Sequence, residues 1–510
     1  MNRTEKSMKN IYFALALQVI TTVLSFVTRT ILVKIIGIDL LGLNGLFTEV
    51  ISALSLAELG IGSSIAYSLY KPVAEDDTYK ICQLMQLYKK AYHTIAGITF
   101  FVGIGLTPWI NYLVKAVDID LSYIRIVYVL FVLQLSTSYL LSYKVALLNV
   151  DQKNYVYSKI SAVVKVVGTG IQIGLVLLTR NYIVYLVATI VISLSTNAIT
   201  SVYVSKNYKY LNQVVDKIEK NEKKKIFSNM KNIFIKSVSA KITGSTDNIL
   251  ISTLISTSLV GFYSNYNLVL NLIRTFVAQI YSGVFNSVGN MMVTEDNNRC
   301  ERVFLRLNYI IYFIATIASV CVLNCMEPFI TAWLGKQYLL ERNVLFICSI
   351  MIYIEIICKP LWLIMEVSGL FSLDKYASIA GSSVNLVVSI ILGIKCGIIG
   401  IFIGTCLTYI IQMVLKAYFL YHFRWEKSPF SYYKIWGFEI IGGLSLMVIC
   451  RFVCSQIVIH NALLQFIANV AVTVLIVICA IALTTFKTDE FKYMVYLVKS
   501  KLKIVIRRSA

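Results

Sequence analysis

The stretch from Asn10 to Leu32, NIYFALALQVITTVLSFVTRTIL, decides the class of fold. About 20 apolar residues of helix suffice to cross a bilayer hydrocarbon core of about 30 Å, and this run is long enough. It nevertheless carries Gln18, Thr22, Ser25 and Arg29 at steps of four, three and four, which puts all of them on one narrow helical face. Such a segment is too long and too polar for a cleaved signal, so it is expected to be a first membrane span.

The rest of the chain repeats the pattern. Of 510 residues, 58% are apolar and only 14% charged, and mean hydropathy is +0.74. That apolar content is close to what about fourteen spans of about 21 residues consume, which excludes an ordinary soluble enzyme. Further spans are expected near 41–69, 91–113, 122–148, 157–179, 182–204, 232–254, 259–288, 303–325, 343–368, 376–394, 397–421, 435–457 and 462–485. The fold class expected is therefore an all-α polytopic membrane protein with about fourteen transmembrane helices.

Net charge is +21, from 47 Lys and Arg against 26 Asp and Glu. With the N-terminus placed in the cytoplasm, 30 of the cations fall in loops or at span edges on that side and 7 (Lys34, Lys115, Arg125, Arg180, Lys336, Arg342, Lys395) on the other. By the positive-inside rule both termini are then expected in the cytoplasm. The excess charge needs no nucleic acid to explain it. The most charged internal stretch, Lys206 to Lys231, is expected to be a solvated cytoplasmic linker. Phe491 to Arg508 is expected to be a basic amphipathic helix lying on anionic headgroups.

Soluble chemistry has few parts here. The 11 cysteines contain no CxxC, the closest pairs Cys321 with Cys325 and Cys450 with Cys454 being helical neighbours, and His93, His422 and His460 lie far apart. No glycine loop for phosphate is present. No cofactor, metal or catalytic group is expected.

An internal repeat gives the organisation. The seventh expected span carries Lys236, Ala240, Thr243 and Asp247 at the same steps as Gln18, Thr22, Ser25 and Arg29. Downstream, Arg29-Thr-Ile-Leu32 aligns with Asp247-Asn-Ile-Leu250, Leu41-Gly42 with Val260-Gly261, and Val73-Ala-Glu75-Asp76 with Val293-Thr-Glu295-Asp296. Two parallel six-helix copies are expected, related by an axis along the membrane normal, with a site between them. The boundaries expected are 1–205 for the first bundle, 206–231 for the linker, 232–425 for the second bundle, 426–486 for two added helices and 487–510 for the tail.

Charges inside the bilayer point to the site. A charge at a span centre costs about 2.5–3.5 kcal/mol on insertion scales, so it must face a partner or a wet cavity. Lys144, Lys159, Lys236, Lys416, Arg451 and Glu439 lie near span ends, where snorkelling to the headgroups is expected. The deeper ones are more telling. Asn267, Asn271 and Arg274 form a stripe continued by Tyr281; Lys165 heads one with Thr169 and Gln172; Thr48, Ser52, Ser55 and Glu58 share a broader arc. Glu355, Lys359, Trp362 and Glu366 run along one face, where Pro360 invites a kink and Glu355 can neutralise Lys359 four residues on. Arg29, Lys165, Arg274, Lys359 and Asn271 are expected to bind an anionic substrate, with Glu58, Asp247, Glu355 and Glu366 balancing charge or coupling ions. Arg suits phosphate by bidentate geometry and Lys as a point charge.

Gly42-Leu-Asn-Gly-Leu-Phe47, Leu54-Ser-Leu-Ala-Glu-Leu-Gly-Ile-Gly62, Tyr70-Lys-Pro-Val-Ala-Glu-Asp76 and Leu87-Tyr-Lys-Lys-Ala-Tyr92 carry a family resemblance. They resemble the amino-terminal half of bacterial polysaccharide flippases of the multidrug, oligosaccharidyl-lipid and polysaccharide exporter superfamily. The resemblance implies a non-enzymatic flippase of the bacterial cytoplasmic membrane. Its substrate would be undecaprenyl-diphosphate-linked oligosaccharide, moved from the inner to the outer leaflet for capsule, exopolysaccharide or O-antigen. Membrane lipids, a polysaccharide polymerase and glycosyltransferases would be its neighbours. Two other classes stay open: a multidrug antiporter of the same superfamily, which would favour an acidic cavity, and a polytopic polymerase or glycosyltransferase, for which the only hint is Asp118-Ile-Asp120 in a short loop.

Overall fold

The computed structural model describes residues 3–58, 61–213, 215–216, 218–219 and 246–496. Every regular element among them is helical, and 11 helical segments are long and apolar enough to cross a membrane. The protein is an all-α, multi-pass membrane protein. The 11 segments coincide with the first, the fourth to sixth and the eighth to fourteenth expected spans. The expected linker, most of the seventh span with Lys236, and the basic tail beyond residue 496 lie outside the described residues.

The chain divides into two compact units, Met1–Ser264 and Asn265–Ala510. In the first, α1 (Arg3–Ile35) turns at Gly37, which holds φ +95°, into α2 (Ile38–Leu54). A tight turn at Ser55–Glu58 leads to α3 (Ile61–Ala74), so the expected 41–69 span is two short helices rather than one. Asp77 then accepts from Lys80 N–H and starts α4 (Thr78–Gly105), well before the expected residue 91. Asp120 caps α5 (Leu121–Val150) by accepting from Ser122 and Tyr123 N–H. The second carboxylate of Asp118-Ile-Asp120 is thus a helix cap. α6 (Asn154–Thr179) and α7 (Tyr182–Asn207) follow, with Asn181 capping the latter. Aromatic and aliphatic side chains of α3, α4 and α5 form one core around Tyr88, Tyr92, Tyr139 and Leu147; α2, α5 and α7 form another around Phe47, Tyr128 and Tyr182.

The first unit also takes in the start of α8 (Thr257–Thr294), entered through a wide turn at Ile251–Ile255. There α2 and α8 meet backbone to backbone. A Cβ on Gly42 would stand 2.1 Å from the Thr257 carbonyl oxygen, and one on Gly261 would stand 2.3 Å from that of Ile38. These are the two glycines that the internal repeat aligns. Only residues without a side chain permit this approach.

The second unit continues α8 and adds α9 (Asn297–Trp333), α10 (Arg342–Ile357), α11 (Lys359–Val367), α12 (Phe371–Cys396), α13 (Ile398–Leu420), α14 (Phe430–Gln456) and α15 (Ala462–Thr485). The expected kink at Pro360 is a break, with Cys358 between α10 and α11. The packing of α12 on α13 follows from sequence: Gly400, Gly404, Thr408, Gln412 and Lys416 step by four along one face of α13. A Cβ on Gly404 would stand 2.1 Å from Ser389 Oγ, Thr408 Oγ1 donates to the Gly381 carbonyl at 3.3 Å, and Asn385 Nδ2 donates to Thr405 Oγ1 at 3.1 Å. Small residues and interhelical hydrogen bonds are what hold helices together where hydrocarbon removes the hydrophobic drive.

Candidate functional site

That seam sets the first element of the site. At its end Lys416 Nζ lies 2.8 Å from Asp374 Oδ1, with the two residues 5% and 6% exposed, so Lys416 does not snorkel as expected but forms a buried ion pair. The break after α10 turns α11 so that Trp362 presents its ring to Lys416, whose Nζ is 4.9 Å from the ring centroid, and to Lys359, whose Nζ is 4.4 Å away. Lys359 reaches back one turn to Glu355 at 3.6 Å. From α8, Arg274 Nε donates to Glu355 Oε2 at 2.8 Å while its Nη1 donates to the side-chain carbonyls of Asn267 (3.0 Å) and Asn271 (2.9 Å).

Arg274, Glu355, Lys359, Lys416 and Asp374 therefore form one chain of charges around a single indole, all inside the second unit. Three cations face two carboxylates. The indole N–H of Trp362 and the hydroxyl of Tyr281 are buried donors with no acceptor among the described residues. A desolvated cation over an indole is worth about 2 kcal/mol or more, and a buried donor left unpaired costs about 1–3 kcal/mol. The cluster can thus accept an acceptor-rich anion with little rearrangement.

Of the residues expected at the site, the structure brings together Arg274, Asn271, Glu355 and Lys359. It adds Lys416, Asp374 and Trp362, of which the first two were missed as a pair. Glu366 is exposed at the end of α11. In the first unit the expected residues are dispersed. Arg29 on α1 donates through Nη2 to the Gly261 carbonyl at 3.1 Å and to Ser264 Oγ, which fastens it to the second turn of α8. Lys165 on α6 is half-buried, without an ion pair or hydrogen bond among the described residues. Gln172, on its stripe, is buried and donates to Tyr185 O and Thr189 Oγ1 of α7, so it serves packing. Glu58 accepts from Tyr92 at 2.5 Å, within an edge-to-face cluster of Tyr88, Tyr92 and Tyr139. Asp247 is half-buried in the short helical run 246–250.

Other charges expected to snorkel are also anchored. Lys144 Nζ donates to Ser205 Oγ at 2.6 Å, Lys159 lies 4.6 Å over the Phe13 ring, and Arg451 pairs with Glu327 at 3.2 Å. Glu439 is 3% exposed. Among the described residues no group of His, Cys, Asp and Glu could hold a metal ion.

The fold is similar to that of solved transporters. The lipid II flippase MurJ, in an inward closed conformation, superposes with a TM-score of 0.63 at 14% identity, over 93% of this chain and 99% of that one. An inward-facing multidrug resistance MATE family transporter of the MOP superfamily gives 0.62 at 14% identity, over 78% and 93%. The Vibrio cholerae MATE transporter VcmN, in a mutant form, gives 0.55 at 12% identity, over 82% and 97%. These neighbours are carriers and not catalysts. No curated protein matches the chain in sequence. The family model described as polysaccharide biosynthesis protein matches residues 7–285, more than half of the sequence, and the chain belongs to that family.

Proposed function

We propose that this membrane carrier moves undecaprenyl-diphosphate-linked oligosaccharide repeat units from the inner to the outer leaflet of a bacterial cytoplasmic membrane by alternating access. Glycosyltransferases supply the repeat unit and a polymerase consumes it. Both termini are cytoplasmic, and residues 1–205 and 232–425 act as the two working bundles, joined by 206–231 and followed by 426–486 and the tail 487–510. Arg29, Lys165, Arg274, Lys359 and Asn271 hold the diphosphate or acidic sugars. Glu58, Asp247, Glu355 and Glu366 balance charge or couple ions.

The observation that carries this reading is the half-buried cluster in which Arg274, Lys359 and Lys416 outnumber Glu355 and Asp374 beside the unpaired indole N–H of Trp362. A multidrug antiporter exporting cationic drugs would be served by the opposite balance. Diphosphate entering the cluster would take Arg274 from Glu355 without leaving that carboxylate alone, because Lys359 stays within 3.6 Å of it.

The test is export. Arg274→Ala and Arg29→Ala are expected to abolish surface polysaccharide while the protein accumulates in the membrane, and Arg274→Lys to restore part of it, since charge survives without bidentate geometry. Normal export by both alanine variants would refute the reading.

A further inference from the structure

Glu439 on α14 raises a separate question. Among the described residues its carboxylate has one hydrogen-bond partner, Asn308 of α9, whose Nδ2 lies 2.8 Å from Oε1 and 3.0 Å from Oε2. Asn308 is itself held by Tyr432, whose hydroxyl donates to Oδ1 at 3.3 Å, and Tyr353 donates to the Glu439 backbone carbonyl at 2.6 Å. No cation among the described residues meets the carboxylate. Burying a lone ion costs several kcal/mol even after relaxation, and one amide returns only part of that.

Glu439 also lines a cavity of about 330 Å³ between α9, α14 and the end of α15. Tyr309 and Tyr312 form one wall, and Tyr309 shares a 2.5 Å hydrogen bond with Thr485. Phe438 forms another and is 53% exposed on the outer face of α14. At the mouth stand Glu490 and Lys434, neither in an ion pair among the described residues, with Lys434 Nζ 4.8 Å from the Phe430 ring centroid. In a chain of net charge +21, a cavity holding two carboxylates and one lysine is locally inverted.

We propose that this cavity binds the zwitterionic headgroup of an ethanolamine phospholipid. The ammonium enters along the tyrosine wall to meet Glu439, with Glu490 at the mouth. The phosphate rests on Lys434. The acyl chains leave along the exposed face of Phe438 into the surrounding hydrocarbon. A carboxylate wants N–H donors, so a primary ammonium fits better than a quaternary one, and the aromatic walls favour a cation over a neutral headgroup. The lipid source follows from the position: the cavity opens beside an apolar exposed wall at the end of the bundle shared by the start of α14 and the close of α15.

The experiment is native mass spectrometry of the purified full chain, released from nanodiscs of equal ethanolamine, choline and glycerol phospholipids. The wild type is expected to retain the ethanolamine lipid several-fold over either competitor. Glu439→Gln is expected to lose that preference. Should that variant fail to fold, Lys434→Ala with Glu490→Gln, both at the mouth, must reduce the preference while leaving the melting temperature in lipid-free detergent unchanged. Equal retention of the three lipids by the wild type, or undiminished preference in the mouth variant, overturns the proposal. Retention of added free ethanolamine or spermidine by a wild type that shows no preference among the three lipids would leave an ammonium site but refute the lipid as its occupant.

Discussion

Lys416→Met tests the scaffold under the charge cluster. The Lys416–Asp374 pair spans 2.8 Å with side chains 6% and 8% exposed, so neither ion is screened by water. Removing one partner of such a pair strands the other and costs about 3–5 kcal/mol, whereas replacing both by apolar residues of similar volume ranges from neutral to about 1–4 kcal/mol stabilising. Lys416 also lies 4.9 Å from the Trp362 centroid, which adds about 2 kcal/mol to its loss when desolvated. The expected order of melting temperature is therefore Lys416→Met lowest, Asp374→Leu next, and the double variant at or near wild type. Thermal melts of the four purified proteins in one detergent, followed by size-exclusion fluorescence, measure it. A double variant that melts as low as the sum of the two single shifts would refute the reasoning, because the charges would then be acting independently. The same double variant is informative in export: a stable protein without Lys416 separates the cluster's role in substrate binding from its role in holding α12 on α13.

Gly42→Val and Gly261→Val are expected to yield no monodisperse protein on size exclusion, since a Cβ at either meets a carbonyl oxygen 2.1 or 2.3 Å away; Gly174→Ala, with nothing within 4 Å, is the tolerated control. Tyr92→Phe removes the 2.5 Å donor to Glu58 and is expected to lower stability by about 1.5–3 kcal/mol, the range for hydrogen bonds to charged groups, read as a fall in melting temperature. Cysteines at Lys115, Arg180 and Lys336 are expected to label from outside intact cells and one at Lys223 only after lysis; the reverse pattern would invert the topology.

Much of this architecture is legible in sequence because the bilayer demands long apolar runs and punishes charge within them. The stripe Asn267, Asn271, Arg274 was readable for the same reason, as periodicity along one helix. The kink at Pro360 was readable from proline's missing N–H. The pairing of Lys416 with Asp374 was not, because it joins two helices and periodicity speaks only of one. A signal existed: Gly400, Gly404, Thr408 and Gln412 announce a close helix seam, and Lys416 is the next residue on it. Glu439 misled in the same way, since nearness to a span end suggested water while α9 in fact covers it with Asn308. The broken helix at Ser55–Glu58 was hidden because Ser55-Leu-Ala-Glu58 contains neither glycine nor proline, and tyrosines of distant α4 fix the turn through Glu58.

That break bears on how the protein is made. At 1.5 Å per residue, α2 with 17 residues and α3 with 14 reach about 26 and about 21 Å, each short of a hydrocarbon core of about 30 Å. Neither helix alone gives the insertion machinery a complete span. Glu58 sits at their junction, and its phenol donor lies on α4, which leaves the ribosome later. Membrane entry of this region is therefore expected to draw on downstream chain. Substitutions on the tyrosine face of α4 will then appear first as faulty insertion and degradation during synthesis, in cells where the mature carrier would have worked.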